Sequence, residues 1–75
     1  MDYFFEHIAK TLKAWKLDIY EDKKNYDIYV YIHNTSEELS ALGALSVYST
    51  RLISIDHKET VFLVENHTAV ILMNM

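Results

Sequence analysis

The spacing of apolar residues follows a helical period before Lys16 and a strand period after it. In the first segment, apolar side chains recur every three or four residues, which places them on one face of a helix. These side chains are Phe5, Ile8, Leu12 and Trp15. With Asp2 as a candidate N-cap, the pattern predicts a helix over residues 2–15.

Apolar and polar residues alternate from Leu17 to His33, with a polar interruption in the middle. Alternation with a period of two is typical of strands that bury one side. The segment therefore predicts a β-hairpin. A turn centred on residues 23–24 would place Ile19 opposite Ile28, with both side chains on the buried side.

A second helix is predicted near residues 36–45. Thr35 and Glu38 have the spacing of a capping box, in which each side chain bonds the other residue's backbone N–H. Leu39, Leu42 and Leu45 would form its apolar face. Gly43 leaves two alternatives open, because it could lie inside the helix or just beyond its C-terminus.

Beta-branched and aromatic residues dominate from Val47 onward and predict three strands. The first ends at about Ile55, the second spans Thr60–Glu65 and the third spans Thr68–Asn74. The last two strands are apolar on both faces, which is typical of covered strands. A helix that continues through Val47–Leu52 is the alternative for the first of the three.

The element order α-β-β-α-β-β-β predicts an α+β fold: one mostly antiparallel sheet of four or five strands, with both helices on one face. A chain of 75 residues is too short for two cores, so residues 1–75 form one domain. The predicted core consists of Phe5, Ile8, Leu12, Trp15, Ile19, Ile28, Val30, Ile32, Leu39, Leu42, Val61, Leu63, Val70 and Leu72.

The composition argues against several kinds of chemical site. The chain has no cysteine and one glycine, which excludes thiol chemistry and disulfides and argues against a glycine-rich phosphate loop. His57 and His67 are predicted at opposite ends of one strand, about 20 Å apart, too far to share a metal ion. No serine lies in a nucleophile elbow. We therefore expect no enzyme activity, no metal and no cofactor.

The most informative pattern is the outward side of the first hairpin, where tyrosines alternate with carboxylates. Its candidate partner-binding residues are Asp18, Tyr20, Asp27, Tyr29, Tyr31 and His33. Tyrosines supply contact area at low entropic cost, and carboxylates favour lysine and arginine on the other protein. We expect a small inhibitor or adaptor that docks on a protein with a basic surface. A self-association face and an ordinary strand surface are the alternatives.

The sequence leaves two alternative functions open, a homodimeric protein and a nucleic-acid binder. Apolar residues make up 51% of this short chain, and the apolar segment Ala69–Met73 suggests an obligate homodimer. Lysines near Trp15 suggest a weak binder of single-stranded nucleic acid. They are Lys10, Lys13, Lys16, Lys23 and Lys24. A net charge of −4 and a single arginine, Arg51, argue against this second function.

The chain is rich in residues that AT-rich codons specify. A very short, acidic, cysteine-free α+β chain of this composition resembles many small phage and mobile-element proteins that bind and inhibit host factors. The resemblance covers no specific motif, so it implies no particular site residues. Because a basic leader and a long apolar run are both missing, we expect a cytoplasmic protein with no membrane segment.

Overall fold

The computed structural model describes residues 3–75. Its elements follow the predicted order. They are α1 (Tyr3–Ala14), β1 (Asp18–Asp22), β2 (Asp27–Ile32), α2 (Thr35–Leu45), β3 (Thr50–Ile55), β4 (Glu59–Val64) and β5 (Thr68–Asn74). The predicted cap Asp2 lies outside the described residues. Within the described range, neither helix is long and apolar enough to cross a membrane.

The five strands form one mixed sheet in the order β1-β2-β5-β4-β3. Three of the neighbouring pairs are antiparallel, while β2 and β5 at the centre are parallel. A tight turn reverses the chain direction and so joins antiparallel strands. Two parallel strands therefore need a longer crossover connection. Here α2 and the β3–β4 hairpin make that connection. As a result β5 lies in the middle of the sheet, and β1 and β3 are its edges.

The register of the first hairpin differs from the prediction by two residues. Ile19 lies opposite Val30, and not opposite Ile28. The cause is a longer turn, which Asp22 stabilises by accepting hydrogen bonds from the backbone N and the Nδ2 of Asn25, at 3.3 and 2.9 Å. Since the shift is an even number of residues, every side chain stays on its predicted face.

The helix α1 buries the predicted stripe at Phe5, Ile8 and Leu12. It ends in a Schellman motif, in which the N–H of Leu17 donates to the carbonyl of Leu12 at 3.4 Å. Lys16 takes the left-handed position of this motif, with φ of 64°. The chain thereby turns out of the helix and into β1, with Leu17 buried against the core.

Trp15 is not a core residue, and its prediction as one is wrong. It follows the last helical residue and is 47% exposed. Its ring lies over α2, where a Cβ on Gly43 would be only 3.1 Å from Cη2 of Trp15. Gly43 lies inside α2, which resolves the two alternatives for its position. Its missing side chain makes room for the ring of Trp15.

The helix α2 begins one residue earlier than the predicted capping box. Asn34 is the N-cap, and its Oδ1 accepts a hydrogen bond from the N–H of Glu37 at 2.9 Å. Glu37 in turn accepts from the N–H of His33 at 2.8 Å. Asn34 is thus the cap of α2, and Glu37 accepts from the N–H of His33 rather than from that of Asn34. The predicted capping box of Thr35 and Glu38 is wrong.

The buried side of α2 is formed by two alanines and one leucine, and two predicted core leucines point outward. Its buried residues are Ala41, Ala44 and Leu45. Leu39 is 64% and Leu42 is 41% exposed, so their assignment to the core is wrong. The alanines allow the helix to lie close to the rest of the core, and this orientation turns the larger side chains away.

The core lies between the helices and one face of the sheet. Fully buried strand residues on this face are Ile28, Val30, Val64, Thr68 and Val70. Val61 and Leu63 lie on the other face and are only partly buried, which contradicts their predicted core position. Because β4 is apolar on both faces, its sequence could not decide which side meets the helices. The helical alternative for Val47–Leu52 is also wrong, since β3 begins at Thr50.

Candidate docking surface on the uncovered face of the sheet

The structure brings the predicted partner-binding residues together on the sheet face that points away from both helices. On β1 and β2, Asp18 lies opposite Tyr31 and Tyr20 lies opposite Tyr29, while Asp27 lies opposite Asp22. Directly opposed residues in an antiparallel pair project to the same side. Their neighbours on the other side, Ile28 and Val30, are in the core.

We call this side of the sheet the open face. Its members from β1 and β2 continue without interruption onto β5 and β4. It comprises Asp18, Tyr20, Asp22, Asp27, Tyr29, Tyr31, Ala69, Ile71, Met73, Glu59, Val61 and Leu63, with Arg51 beyond them on β3. The centre of the open face is aliphatic and aromatic, and its ends are charged. An apolar centre with a polar rim is the usual anatomy of a protein interface.

A continuous apolar row crosses the middle of the open face. Tyr20 on β1 is followed across the strands by Tyr29, Ile71 and Val61. The rings of Tyr20 and Tyr29 have centroids 6.2 Å apart and planes inclined by 45°. Tyr20 is 56% exposed, whereas Ile71 is buried although neither helix covers this side. Its neighbours Tyr29 and Val61 shield it from both flanks.

The pKa values of the two carboxyl groups at the β1–β2 turn are shifted in opposite directions. Burial, and to a smaller degree the charge of Asp22, raise the pKa of Asp27 above its usual value. The pKa of Asp22 is lowered instead, mainly because its side chain accepts a hydrogen bond from Asn25. Ionised Asp27 is thus poorly compensated within the molecule, and a cation placed beside it would stabilise its charge.

His33 stands at the border of the open face, immediately after β2. Its Nε2 is 3.7 Å from Oδ2 of Asp18, with both side chains half or more exposed to solvent. An ion pair with this exposure contributes little to folding stability. Its N–H, by contrast, is used in the cap of α2 through Glu37. His33 therefore joins the predicted surface by position, and its backbone has a structural role as well.

Sequence reasoning missed the aliphatic centre of the open face, which β4 and β5 contribute. The two-sided apolar character of these strands is a signal, but it predicts covering on both sides and does not show which side stays uncovered. In the structure the helices cover one side, and Ala69, Ile71 and Met73 lie on the other. The tyrosines of β2 lie next to the aliphatic residues of β5 because these two strands pair in parallel. This pairing joins distant segments of the chain, so local sequence patterns do not predict it.

A separate polar cluster connects α1 to the segment before β3. Nδ1 of His7 is 2.6 Å from the hydroxyl of Tyr48, which is 2.8 Å from Oγ1 of Thr11. The ring of Tyr48 also packs edge-on against Phe4. These contacts hold the start of the β3–β4 hairpin against α1, so we assign the cluster a structural role.

The predicted lysine edge carries acidic residues among its cations. Nζ of Lys13 lies 2.7 Å from Oε2 of Glu21. The groove at this end is lined by Glu6 and Glu21 as well as by lysines. His57 and His67 occupy the turns before and after β4. Among residues 3–75 no group of three or more potential metal ligands is found.

Comparisons of the chain with protein-family models, with curated proteins and with solved structures found no match. The class that the geometry itself defines is a small α+β domain with a mixed five-stranded sheet covered by helices on one side.

Proposed function

We propose that this protein is a non-catalytic protein-binding module, a small inhibitor or adaptor that docks on a basic protein surface through the open face. The observation that carries the proposal is the row of Tyr20, Tyr29 and Ile71 beside Asp18 and Asp27, on a sheet face that neither helix covers. Adjoining apolar residues at the surface with a polar rim are typical of protein interaction sites.

The two parts of the open face have different roles in this proposal. The apolar row supplies affinity, because tyrosines and aliphatic residues lose water when a partner covers them. The carboxylates supply orientation, because they attract lysine or arginine and repel acidic proteins. Asp27 contributes most to this selectivity, since its charge is partly desolvated already.

Affinity capture with two matched pairs of variants tests the proposal. In the first pair, Tyr29→Ala combined with Tyr31→Ala removes apolar area from the open face, and Tyr3→Ala removes an exposed ring from α1. In the second pair, Asp18→Lys changes the charge of the open face, and Glu6→Lys makes the same change on α1.

The proposal predicts that basic proteins are retained by the wild type and by both α1 variants, and lost by both open-face variants. The effect of Asp18→Lys on binding should depend on salt concentration more than the effect of the tyrosine substitutions, because salt screens charges at the rim of an interface. If the folded open-face variants retain every partner, the open face is not the binding site.

A further inference from the structure

The strand β3 is an outer edge of the sheet. It has β4 on one side and no strand on the other. All six of its residues are exposed, including Leu52 at 52% and Ile55 at 68%. Exposed edge strands usually carry charges in their interior, which discourage pairing with another chain. Here the charged residues stand at the two ends, Arg51 near the start and Asp56 just after the last residue.

A β-bulge gives this edge an unusual symmetry. Leu52 pairs with Phe62 and Ser54 pairs with Val61, so Ile53 is an extra residue on β3. Two residues three positions apart lie on opposite faces of a regular strand. The extra residue changes this, because it puts Leu52 and Ile55 together on the helix side.

The charged residues at the ends also share one side. Arg51 pairs with Leu63, which belongs to the open face. The N–H of Asp56 donates to the carbonyl of Glu59 at 2.9 Å, so Asp56 continues the ladder on that same side. Hydrogen bonds from the N–H groups of Glu59 and Lys58 lower the pKa of Asp56 and keep it ionised.

We propose that β3 is the docking site for a second copy of this chain, paired antiparallel about a two-fold axis between Ile53 and Ser54. Leu52 then lies opposite Ile55 of the second copy, and Arg51 lies opposite Asp56 of the second copy. Both pairs match in face and in chemistry, apolar with apolar and cation with anion. An unrelated strand would lack this reciprocity, and a two-fold axis requires it.

The side of the edge that faces the helices offers additional apolar surface to the second copy. A groove of about 240 Å³ lies between α2 and the β3–β4 hairpin. Its lining is mostly apolar and consists of Leu42, Leu52, Ile55, Phe62 and Leu72, with Glu38 and Thr60 as the polar members. The two-fold axis brings the grooves of the two copies next to each other. It also joins the two open faces into one side of a continuous ten-stranded sheet. The dimer would therefore carry two docking surfaces side by side on the same side of the sheet.

Disulfide formation between two single-cysteine variants tests the register. The chain has no cysteine, so introduced thiols have no competitors. Leu52→Cys and Ile55→Cys are purified separately, then oxidised alone and as a mixture. Opposed positions have Cα atoms within disulfide reach, whereas two copies of the same position are offset by three residues, about 10 Å.

The proposal predicts about tenfold more covalent dimer in the mixture than in either variant alone, because only opposed positions meet the distance limit. Equal amounts in all three reactions would overturn it, since they would indicate random collision or a different register. So would the absence of covalent dimer in the mixture.

Sedimentation equilibrium tests the interface without a covalent bond. The wild type is expected to associate with rising concentration, and Leu52→Lys is expected to stay monomeric. Leu39→Lys, the same change at an exposed position on α2, is the control and should associate like the wild type. A monomeric wild type at millimolar concentration overturns the proposal. A dimer that survives Leu52→Lys but is lost with Tyr29→Ala and Tyr31→Ala also overturns it, since the second copy would then use the open face.

Discussion

The two faces of the sheet are both apolar, yet only one of them is closed within the molecule. On the covered face, Ile28, Val30 and Val70 have no contact with solvent. On the open face, Tyr20 is largely exposed and Ile71 is shielded only by neighbours in the sheet. Residues adjacent in sequence thus belong to different environments, because successive strand residues point to opposite sides.

The comparison teaches that apolar sequence in a strand does not by itself mean core. Burial under the helices removes apolar area from water and stabilises the fold. The apolar area of the open face contributes less to folding, because most of its residues are only partly buried. The area that stays exposed is available for a partner, so substitutions on the two faces should differ in their effects on folding and on binding.

The largest expected difference is between two valines, one on each face. Val30→Ala removes fully buried methyl groups of β2 and should lower the free energy of unfolding by about 2 to 3 kcal/mol. Val61→Ala removes the same groups from the open face and should cost less than about 1 kcal/mol. Urea denaturation of both variants gives the two values. Equal losses would mean that the open face is as important for folding as the core.

A medium effect is expected at the start of α2, which helps to cover the closed face. Asn34→Ala removes the acceptor for the N–H of Glu37 and should destabilise the fold by about 1 kcal/mol. Thr35→Ala is the control and should have a smaller effect, because Thr35 is not the cap. Thermal denaturation compares them. A larger loss for Thr35→Ala would restore the capping box that the sequence suggested.

A smaller effect of the opposite sign is expected where α1 ends. Lys16 adopts a left-handed conformation that a side chain disfavours. Lys16→Gly should therefore raise the free energy of unfolding by up to about 1 kcal/mol. Lys13→Gly, inside the helix, should lower it by a similar amount. If both changes destabilise equally, the Schellman motif does not define this end in solution.

The smallest effect on stability is expected at Asp27, where it distinguishes folding from binding. Because the pKa of Asp27 is raised in the folded state, ionisation opposes folding, and this cost is fully present above the raised pKa. Asp27→Asn should be more stable than the wild type at neutral pH. The advantage should shrink as the pH falls through the raised pKa and should vanish well below 3.8, where the wild-type carboxyl is protonated in both states.

The same variant should bind a basic partner less well, since it has lost a carboxylate of the open face. Denaturation across this pH range, together with capture at neutral pH, measures both properties. Asp22 and Asp56, whose pKa values are lowered, work in the opposite direction and lose their stabilising contribution below 3.8. If Asp27→Asn is less stable than the wild type at neutral pH, the pKa of Asp27 is not raised in the folded state.

Local patterns predicted the elements and half of the candidate surface. The alternation from Leu17 to His33 correctly separated the tyrosines from the core, because the face of a strand residue depends only on counting. The bounds of β5, Thr68–Asn74, were also predicted correctly. In the first hairpin the register was wrong, but the error did not change the side on which any residue lies.

The remaining errors concern contacts between distant parts of the chain. The parallel pairing of β2 with β5 joins residues about forty positions apart, and no local pattern specifies it. The outward position of Leu39 follows from the close packing that Ala41 and Ala44 allow. Val61 was placed in the core because β4 is apolar on both sides, so the aliphatic half of the open face escaped prediction.

The six tyrosines allow the central claim to be measured within one molecule. Three lie on the open face, namely Tyr20, Tyr29 and Tyr31, and the other three are Tyr3, Tyr26 and Tyr48. Selective isotope labelling gives each ring its own signals in an NMR titration with the captured basic partner. We predict that the signals of the three open-face tyrosines shift or broaden while those of the other three stay unchanged; changes confined to Tyr3, Tyr26 and Tyr48 would contradict the account.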